Sequence, residues 1–169
     1  MAQAKLMIPF IKKWEGGFAN DKDDAGGCTM MGVTIKTFRK FFGKEKTCED
    51  LKNITDEEWL EVFNEYWKPW KADEIKNQSI AQLVVDMGWM SGTKTAIKKV
   101  QACLGTKADG IVGPKTLALL NQAPAIGVFR KLWVMRYNWL HDIAKTGNNK
   151  KFLTGWMNRL NDHKFKFNL

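Results

Sequence analysis

A carboxylate before two glycines, followed by a polar, glycine-rich stretch, is the part of this sequence best suited to chemistry. Glu15 precedes Gly16 and Gly17, Asp24 lies nine residues after Glu15, and Thr29 lies fourteen after it. Hydrolysis of a glycosidic bond needs one protonated carboxyl group for the leaving oxygen and a second group that assists water or the positively charged transition state. Glu15 as the acid, with Asp24 and Thr29 as its helpers, fits this need. Taken alone, however, a glutamate before two glycines more often marks only the end of a helix.

Calcium binding is the first alternative for this stretch. Asp21, Asp23 and Gly26 match positions one, three and six of an EF-hand loop. Position five is Ala25, however, and position twelve, which requires a bidentate glutamate, is Gly32. The sequence therefore does not predict an EF-hand.

The cysteines and histidines predict no further site. Cys28, Cys48 and Cys103 are an odd set without close pairs, and neither His141 nor His163 stands at a zinc-like spacing to them. The sequence also lacks a nucleophile motif near either histidine and a phosphate-binding glycine loop. We expect free thiols, no metal and no cofactor.

The segment before Glu15 predicts the element that positions it. Leu6, Phe10 and Trp14 recur at steps of four, which predicts a helix over residues 3–14 that the glycines end. The negative end of the helix dipole disfavours a second negative charge in the last turn, so Glu15 should stay protonated. Asp24, in a turn where backbone N–H groups can reach it, should stay ionised. With the Thr29 hydroxyl it would orient the attacking water, which favours inversion of the anomeric centre.

The rest of the chain predicts a mainly α-helical fold with at most a small β-hairpin within residues 24–34. A helix is expected from Val33 to Phe42, and a capping box at 55–58 starts a strong helix rich in aromatic residues. For Trp67 and Trp70, at the end of this helix, the pattern does not decide between packing in the core and stacking on a substrate. Later apolar stripes predict helices ending near residues 88 and 104, and two more over 129–143 and 152–160.

Two other features stay open between structure and function. Asp86 lies inside an apolar helical segment, and a buried carboxylate must be paired or hydrogen-bonded, which favours a structural anchor over part of a site. The segment 108–117 is a turn followed by a helix start at Pro114. Its Asp109 and Lys115 either contact glycan or peptide stems, or belong to a purely structural corner.

Composition limits the class of protein. A chain of 169 residues with 44% hydrophobic and 27% charged residues fits one globular domain, or one domain with a compact extension. The net charge of +9 implies attraction to an anionic partner: nucleic acid, a membrane surface or a cell wall. No apolar run is long enough to span a bilayer, and the run Leu6–Ile11, interrupted by Pro9, is not typical of a secretory signal.

The motif around Glu15 resembles the signature of glycoside hydrolase family 108. The similarity covers residues 15–18, 20–21, 24–29 and 32–34. Members of that family are N-acetylmuramidases, described as lysozymes and secretion activators, and the resemblance implies a lysozyme-like helical fold with Glu15 as the essential glutamate. The sequence departs from the family at Phe18, where tyrosine is usual, and at Cys28, Met30 and Met31. Residues expected to bind substrate are Phe18, Asp21, Thr34, Trp67 and Trp70.

The later part of the chain is similar to the predicted peptidoglycan-binding region that accompanies this family. The similarity involves Gln101, residues 109–117, Arg136 with Tyr137, and residues 155–156. It implies a catalytic part over residues 1–92 and a peptidoglycan-binding part over residues 93–169, packed into one compact unit.

The expected activity is hydrolysis of the β-1,4 bond between N-acetylmuramic acid and N-acetylglucosamine in bacterial peptidoglycan. We expect a monomer without a nucleic-acid partner, made in the cytoplasm and acting on the cell wall or periplasm after export or lysis. The alternatives are a non-catalytic peptidoglycan-binding module and a basic nucleic-acid-binding domain.

Overall fold

The computed structural model describes residues 1–20 and 27–165, and it is mainly α-helical with one small hairpin, as the sequence predicts. The α-helices are α1 (Ile8–Glu15), α2 (Ile35–Phe42), α3 (Cys48–Lys52), α4 (Asp56–Trp67), α5 (Gln78–Ser91), α6 (Thr93–Leu104), α7 (Pro114–Leu120), α8 (Ala125–Ala144) and α9 (Leu153–Asp162). The strands are β1 (Thr29–Met30) and β2 (Val33–Thr34). Short 3-10 helices lie at Ala4–Met7, Lys68–Trp70, Ala72–Glu74 and Asn149–Phe152. Among the described residues, no helix combines the length and apolar character needed to cross a membrane.

The chain divides into two compact units. The first, the 4–65 unit, runs from Ala4 to Glu65, and the second, the 66–169 unit, runs from Tyr66 to the C-terminus and includes residues 1–3. This division by packing differs from the boundary at residues 92 and 93 inferred from the sequence. The reason is that α5 packs against α6 and α8 and so belongs with the later helices.

In the 4–65 unit, α1 begins later than predicted. A 3-10 turn occupies residues 4–7, and Pro9 lies in the first turn of the α-helix, where its missing N–H is tolerated. The buried face is therefore formed by Met7, Phe10 and Ile11, whereas Leu6 is 50% exposed. The predicted step of four from Leu6 fails because the first turn is not α-helical.

Side-chain caps fix the starts of two helices in this unit. Thr55 N donates to Glu58 Oε2 at 2.9 Å, and Glu58 N donates to Thr55 Oγ1 at 3.1 Å, which confirms the predicted capping box. Thr47 and Asp50 form the same arrangement at α3. These bonds satisfy backbone N–H groups that a helix start leaves without intrahelical partners.

The hairpin turns through two residues with positive φ. Thr29 pairs with Thr34 and Met30 with Val33, and Met31 (φ +50°) and Gly32 (φ +77°) form the turn. This conformation is unfavourable for methionine. The carbonyl oxygen of buried Met31 accepts a hydrogen bond from Trp59 Nε1 at 3.1 Å, so α4 fixes the turn.

A disulfide joins the hairpin to α3. Cys28, directly before β1, is bonded to Cys48, the first residue of α3, across a sequence separation of 20. The prediction of free thiols was therefore wrong for this pair, while Cys103 is a free cysteine. The spacing of the cysteines did not predict this disulfide, because the two residues are far apart in the sequence and only the fold brings them together.

In the 66–169 unit, Asp86 anchors the end of α9 to α5. Arg159 donates to Asp86 Oδ1 from Nη2 at 2.7 Å and from Nε at 3.1 Å, and His163 Nε2 lies 3.0 Å from Oδ2. Burial acts to raise the pKa of Asp86. The hydrogen bond and charge of His163, with those of Arg159, outweigh it and lower that pKa to about 2. The expectation that this carboxylate is paired is confirmed.

The corner at residues 108–113 is held from inside by Gln101. Gln101 Nε2 donates to Asp109 Oδ1 at 3.0 Å and to Ile111 O at 2.9 Å, while its Oε1 accepts from Gly110 N at 2.9 Å. The backbone N–H of Ile111 and the amide of Gln101 lower the pKa of Asp109. Asp109 thus serves the turn, and Lys115 in the first turn of α7 is exposed.

Candidate functional site

Glu15 is the last residue of α1, as the sequence predicts. Gly16 follows with φ +72°, a conformation that favours glycine and turns the chain away from the helix. A Cβ atom added to Gly16 or Gly17 would meet nothing within 4 Å. Glycine at position 16 is therefore explained by its backbone angle and not by crowding. Glu15 itself is partly buried, and the backbone of the two residues after it has free space around it.

Thr29 is tied to the chain just beyond Glu15. Ala19 N donates to Thr29 O at 2.9 Å, and Thr29 N donates to Ala19 O at 2.8 Å. Because Ala19 is only four residues after Glu15, this bridge brings the hairpin back to the end of α1. Glu15 and Thr29, two of the three predicted catalytic residues, therefore belong to one short segment that backbone hydrogen bonds close on itself.

Two predicted substrate-binding residues of the same unit have partners of their own. The Phe18 ring is partly buried, and the ammonium group of Lys52 lies 5.9 Å from its centroid. Thr34 caps α2: its Oγ1 accepts from Thr37 N at 3.2 Å and donates to Thr37 Oγ1 at 3.1 Å. The structure gives Thr34 a capping function that the sequence analysis missed.

Trp67 and Trp70 are core residues in this structure. Their side chains are 1% and 0% exposed. Trp67 Nε1 donates to Asp73 Oδ1 at 2.8 Å, and Trp70 Nε1 is buried beside Gly88. Neither ring presents a face on which a sugar could stack, so we assign both to packing instead of substrate binding.

Asp21 and Asp24, predicted for substrate binding and catalysis, lie outside the described residues, as does the first half of the rejected EF-hand stretch. In the parts of the chain that are described, no group of three or more histidine, cysteine, aspartate or glutamate side chains is arranged to hold a metal ion. Of the three predicted catalytic residues, the described part of the chain thus includes Glu15, which has a carboxyl group, and Thr29, which has a hydroxyl group.

Sequence reasoning missed two supports of this site. The Cys28–Cys48 disulfide fixes the residue next to Thr29, and the Trp59 hydrogen bond fixes the hairpin turn. An even number of cysteines would have drawn attention to the first. The second had no signal in the sequence, because a tryptophan on an apolar helix face does not reveal which carbonyl group its N–H meets.

Comparison with known proteins agrees with the resemblance noted from the motif. The sequence model of Glycosyl hydrolase 108 matches residues 8–92, half of the chain, and that of the Predicted Peptidoglycan domain matches residues 95–161. No curated protein matches. The solved structure of Brucella abortus SagA is similar to this chain at 27% identity and a TM-score of 0.74, with 94% of this chain and 90% of that one covered.

These findings support a lysozyme-like protein that acts on peptidoglycan, with a mainly helical lysozyme-like fold. Because the first match spans half of the sequence, the chain belongs to the glycosyl hydrolase 108 family.

Proposed function

We propose that this protein is an N-acetylmuramidase. It hydrolyses the β-1,4 bond between N-acetylmuramic acid and N-acetylglucosamine in bacterial peptidoglycan, with Glu15 as the general acid. The observation that carries this proposal is the position of Glu15 at the end of α1, joined through the Ala19–Thr29 bridge to the hairpin. A carboxyl group can supply the proton that the leaving glycosidic oxygen needs.

In this proposal the three catalytic residues divide the work. Glu15 gives its proton to the leaving glycosidic oxygen. Asp24, as a carboxylate, and the Thr29 hydroxyl orient the water that attacks the anomeric carbon. The two backbone hydrogen bonds that hold Thr29 limit its movement, which supports a positioning function for its side chain.

Phe18 and Asp21 are proposed to contact the sugar next to the cleaved bond. Phe18 offers a ring close in sequence to Glu15, and the ammonium group of Lys52 lies 5.9 Å from the centroid of that ring.

Lysis of purified cell walls by the Glu15→Gln variant tests the proposal. Glutamine is nearly the same size as glutamate but cannot supply the proton, so lysis should fall on the order of a hundredfold or more while the fold and wall binding stay intact. Asp24→Asn should lose less activity than Glu15→Gln, and Asp21→Asn less still. The matched control is Glu61→Gln, which removes an exposed carboxylate from α4 and should lyse walls like the parent.

If a folded Glu15→Gln variant lysed walls like the parent, both the assignment of Glu15 as the general acid and the proposed muramidase activity would be contradicted. A parent protein that binds walls without lysing them would favour the binding-module alternative.

A further inference from the structure

The outward face of α8 carries a stripe of rings and apolar side chains that neither the core nor the catalytic proposal uses. Each of its residues lies three or four positions from another, and residues with this spacing along a helix fall on one face. None of them is among the buried core residues. We call this face the α8 stripe; it consists of Ile126, Arg130, Trp133, Val134, Tyr137 and His141.

Three rings of the stripe form a continuous ladder. The centroids of Trp133 and Tyr137 lie 5.7 Å apart with planes 24° from parallel, and those of Tyr137 and His141 lie 4.4 Å apart. Trp133 is held in place because its Nε1 donates to Leu160 O at 3.2 Å. Tyr137 is 38% exposed. The ladder is therefore already ordered and partly open to solvent, which lowers the entropy lost when a ligand binds.

An apolar groove continues the ladder toward the start of α8. Phe129 contributes to its wall together with four stripe residues, Ile126, Arg130, Trp133 and Val134. Val134 is 52% exposed. This apolar surface adjoins the Trp133 ring, so a ligand that lies on the ladder can extend along it.

Charge indicates what binds there. The 66–169 unit, with residues 1–3, holds 17 basic and 6 acidic side chains, a formal charge of +11, whereas the 4–65 unit holds 10 basic and 12 acidic, a formal charge of −2. The stripe itself contains the guanidinium of Arg130 and no carboxylate. Two copies of so basic a unit repel each other, which disfavours self-association through this face, and an anionic partner is favoured.

We propose that the α8 stripe binds the glycan strand of peptidoglycan at a distance along the chain from the catalytic residues; the identity of this polymer rests on the proposed function. The C–H faces of sugar rings carry partial positive charge and lie favourably on the electron-rich faces of aromatic rings. Arg130 pairs with a free carboxylate of the stem peptide. The stripe thereby retains the enzyme on its insoluble substrate between cuts.

Binding of the full-length chain to purified, insoluble peptidoglycan tests this proposal. The measurement is made in a Glu15→Gln background so that hydrolysis does not remove the ligand. Tyr137→Ala should weaken binding roughly two- to tenfold, as expected for the loss of one ring contact, and Arg130→Gln should weaken it and reduce its sensitivity to salt. Tyr137→Phe keeps the ring and should bind like the parent.

The matched control is Phe152→Ala, which removes another exposed ring of the same unit that lies outside the stripe. Its binding should equal that of the parent. The proposal is overturned if Tyr137→Ala binds like the parent, or if Phe152→Ala loses as much as Tyr137→Ala. It is also overturned if sedimentation shows a parent dimer that Tyr137→Ala dissociates with wall binding unchanged, since the stripe would then be a contact between copies.

Release of muropeptides by the chain with Glu15 intact separates the two proposals. If the chain releases muropeptides but Tyr137→Ala binds peptidoglycan like the parent, only the proposal for the α8 stripe is overturned. If Tyr137→Ala weakens binding but the chain releases no muropeptides, only the proposed muramidase activity is overturned.

Discussion

Asp86 illustrates how one buried carboxylate holds distant parts of the chain together. It lies in α5, and its partners Arg159 and His163 lie in α9 and directly after it. Burial lowers the pKa of the Arg136 guanidinium, on α8, to about 10; the charge of Asp86 acts to raise this pKa and that of Arg159 to lower it. The cluster is therefore costly to desolvate and depends on the ionised state of Asp86.

Acid should weaken the fold through Asp86. Its pKa in the folded protein, about 2, lies below the ordinary value of 3.8, so the folded state holds the proton less tightly than the unfolded state. The resulting stabilisation is fully present above about pH 4 and is lost as the pH falls toward 2, on the order of 2 kcal/mol in total. Urea unfolding at pH 5 and at pH 2.5 measures this loss.

Two variants make that measurement specific. Asp86→Asn should be less stable at every pH, because it leaves Arg159 buried without its carboxylate, and its unfolding free energy should change less than the parent's over this range. Asp142→Asn removes an exposed partner of Lys145 and should behave like the parent. An Asp86→Asn protein with the parent's full acid sensitivity would contradict the account.

Individual residues were predictable where chemistry and local order decide their position. Glu15 at a helix end before two glycines and the pairing of Asp86 followed from the sequence. The burial of Trp67 and Trp70 did not, because periodicity shows which face of a helix is apolar but not whether another element covers it.

At the scale of elements, the hairpin depends on contacts from outside it. With two residues in each strand, it is too short to be stable alone. Its supports are the disulfide to α3, the Trp59 hydrogen bond and the Ala19–Thr29 bridge. Thr29 thus keeps its position through the bridge to Ala19 and the contacts with α3 and α4 as well as through its pairing with Thr34.

Removing the disulfide should lower both stability and activity. A loop of this length, 20 residues in sequence separation, predicts a loss of about 3 kcal/mol in unfolding free energy for Cys28→Ser with Cys48→Ser. Wall lysis should fall as well, since Cys28 directly precedes Thr29. Thermal unfolding and the turbidity assay measure the two effects.

Cys103→Ser is the matched control for this pair, because Cys103 is free and only partly buried. It should leave lysis unchanged. If the double variant kept parental stability and lysis, the hairpin would not need the cross-link.

Most helices were predictable from apolar spacing and capping residues, as the capping box of Thr55 and Glu58 and the start of α7 at Pro114 illustrate. The start of α1 was not, since a 3-10 turn changes the spacing and exposes Leu6. The partners of the short hairpin were also not predictable, because contacts between distant segments leave no local pattern.

At the scale of the whole molecule, the excess positive charge is confined to one of the two compact units. The basic 66–169 unit includes the residues that match the Predicted Peptidoglycan domain, whereas the unit that contains Glu15 is slightly acidic. Attraction to an anionic wall should therefore act through the former.

Neutralising lysines in each unit tests this division of charge. On α6, Lys94 and Lys98 are exposed beside the turn at Gly110, and their joint replacement by glutamine should weaken wall binding roughly two- to fivefold at low salt. The difference from the parent should shrink as salt is added, because salt screens exposed charges. The same change at Lys36 and Lys44, exposed residues of the 4–65 unit, is the control and should have a smaller effect. Equal losses from the two pairs would contradict the division.

The mainly helical fold and the two similarity regions followed from the sequence, but the packing division between Glu65 and Tyr66 did not. Composition gives the net charge of the chain without its distribution over compact units, and motifs show family boundaries without showing where helices pack. The position of α5 therefore required the structure.

The most direct test of the muramidase assignment is a mass spectrum of the soluble fragments released from purified peptidoglycan, reduced with borohydride to mark the new chain ends. The account predicts fragments that end in reduced N-acetylmuramic acid, released by the parent and nearly absent with Glu15→Gln. Fragments that end in reduced N-acetylglucosamine, or equal release by the two proteins, would contradict it.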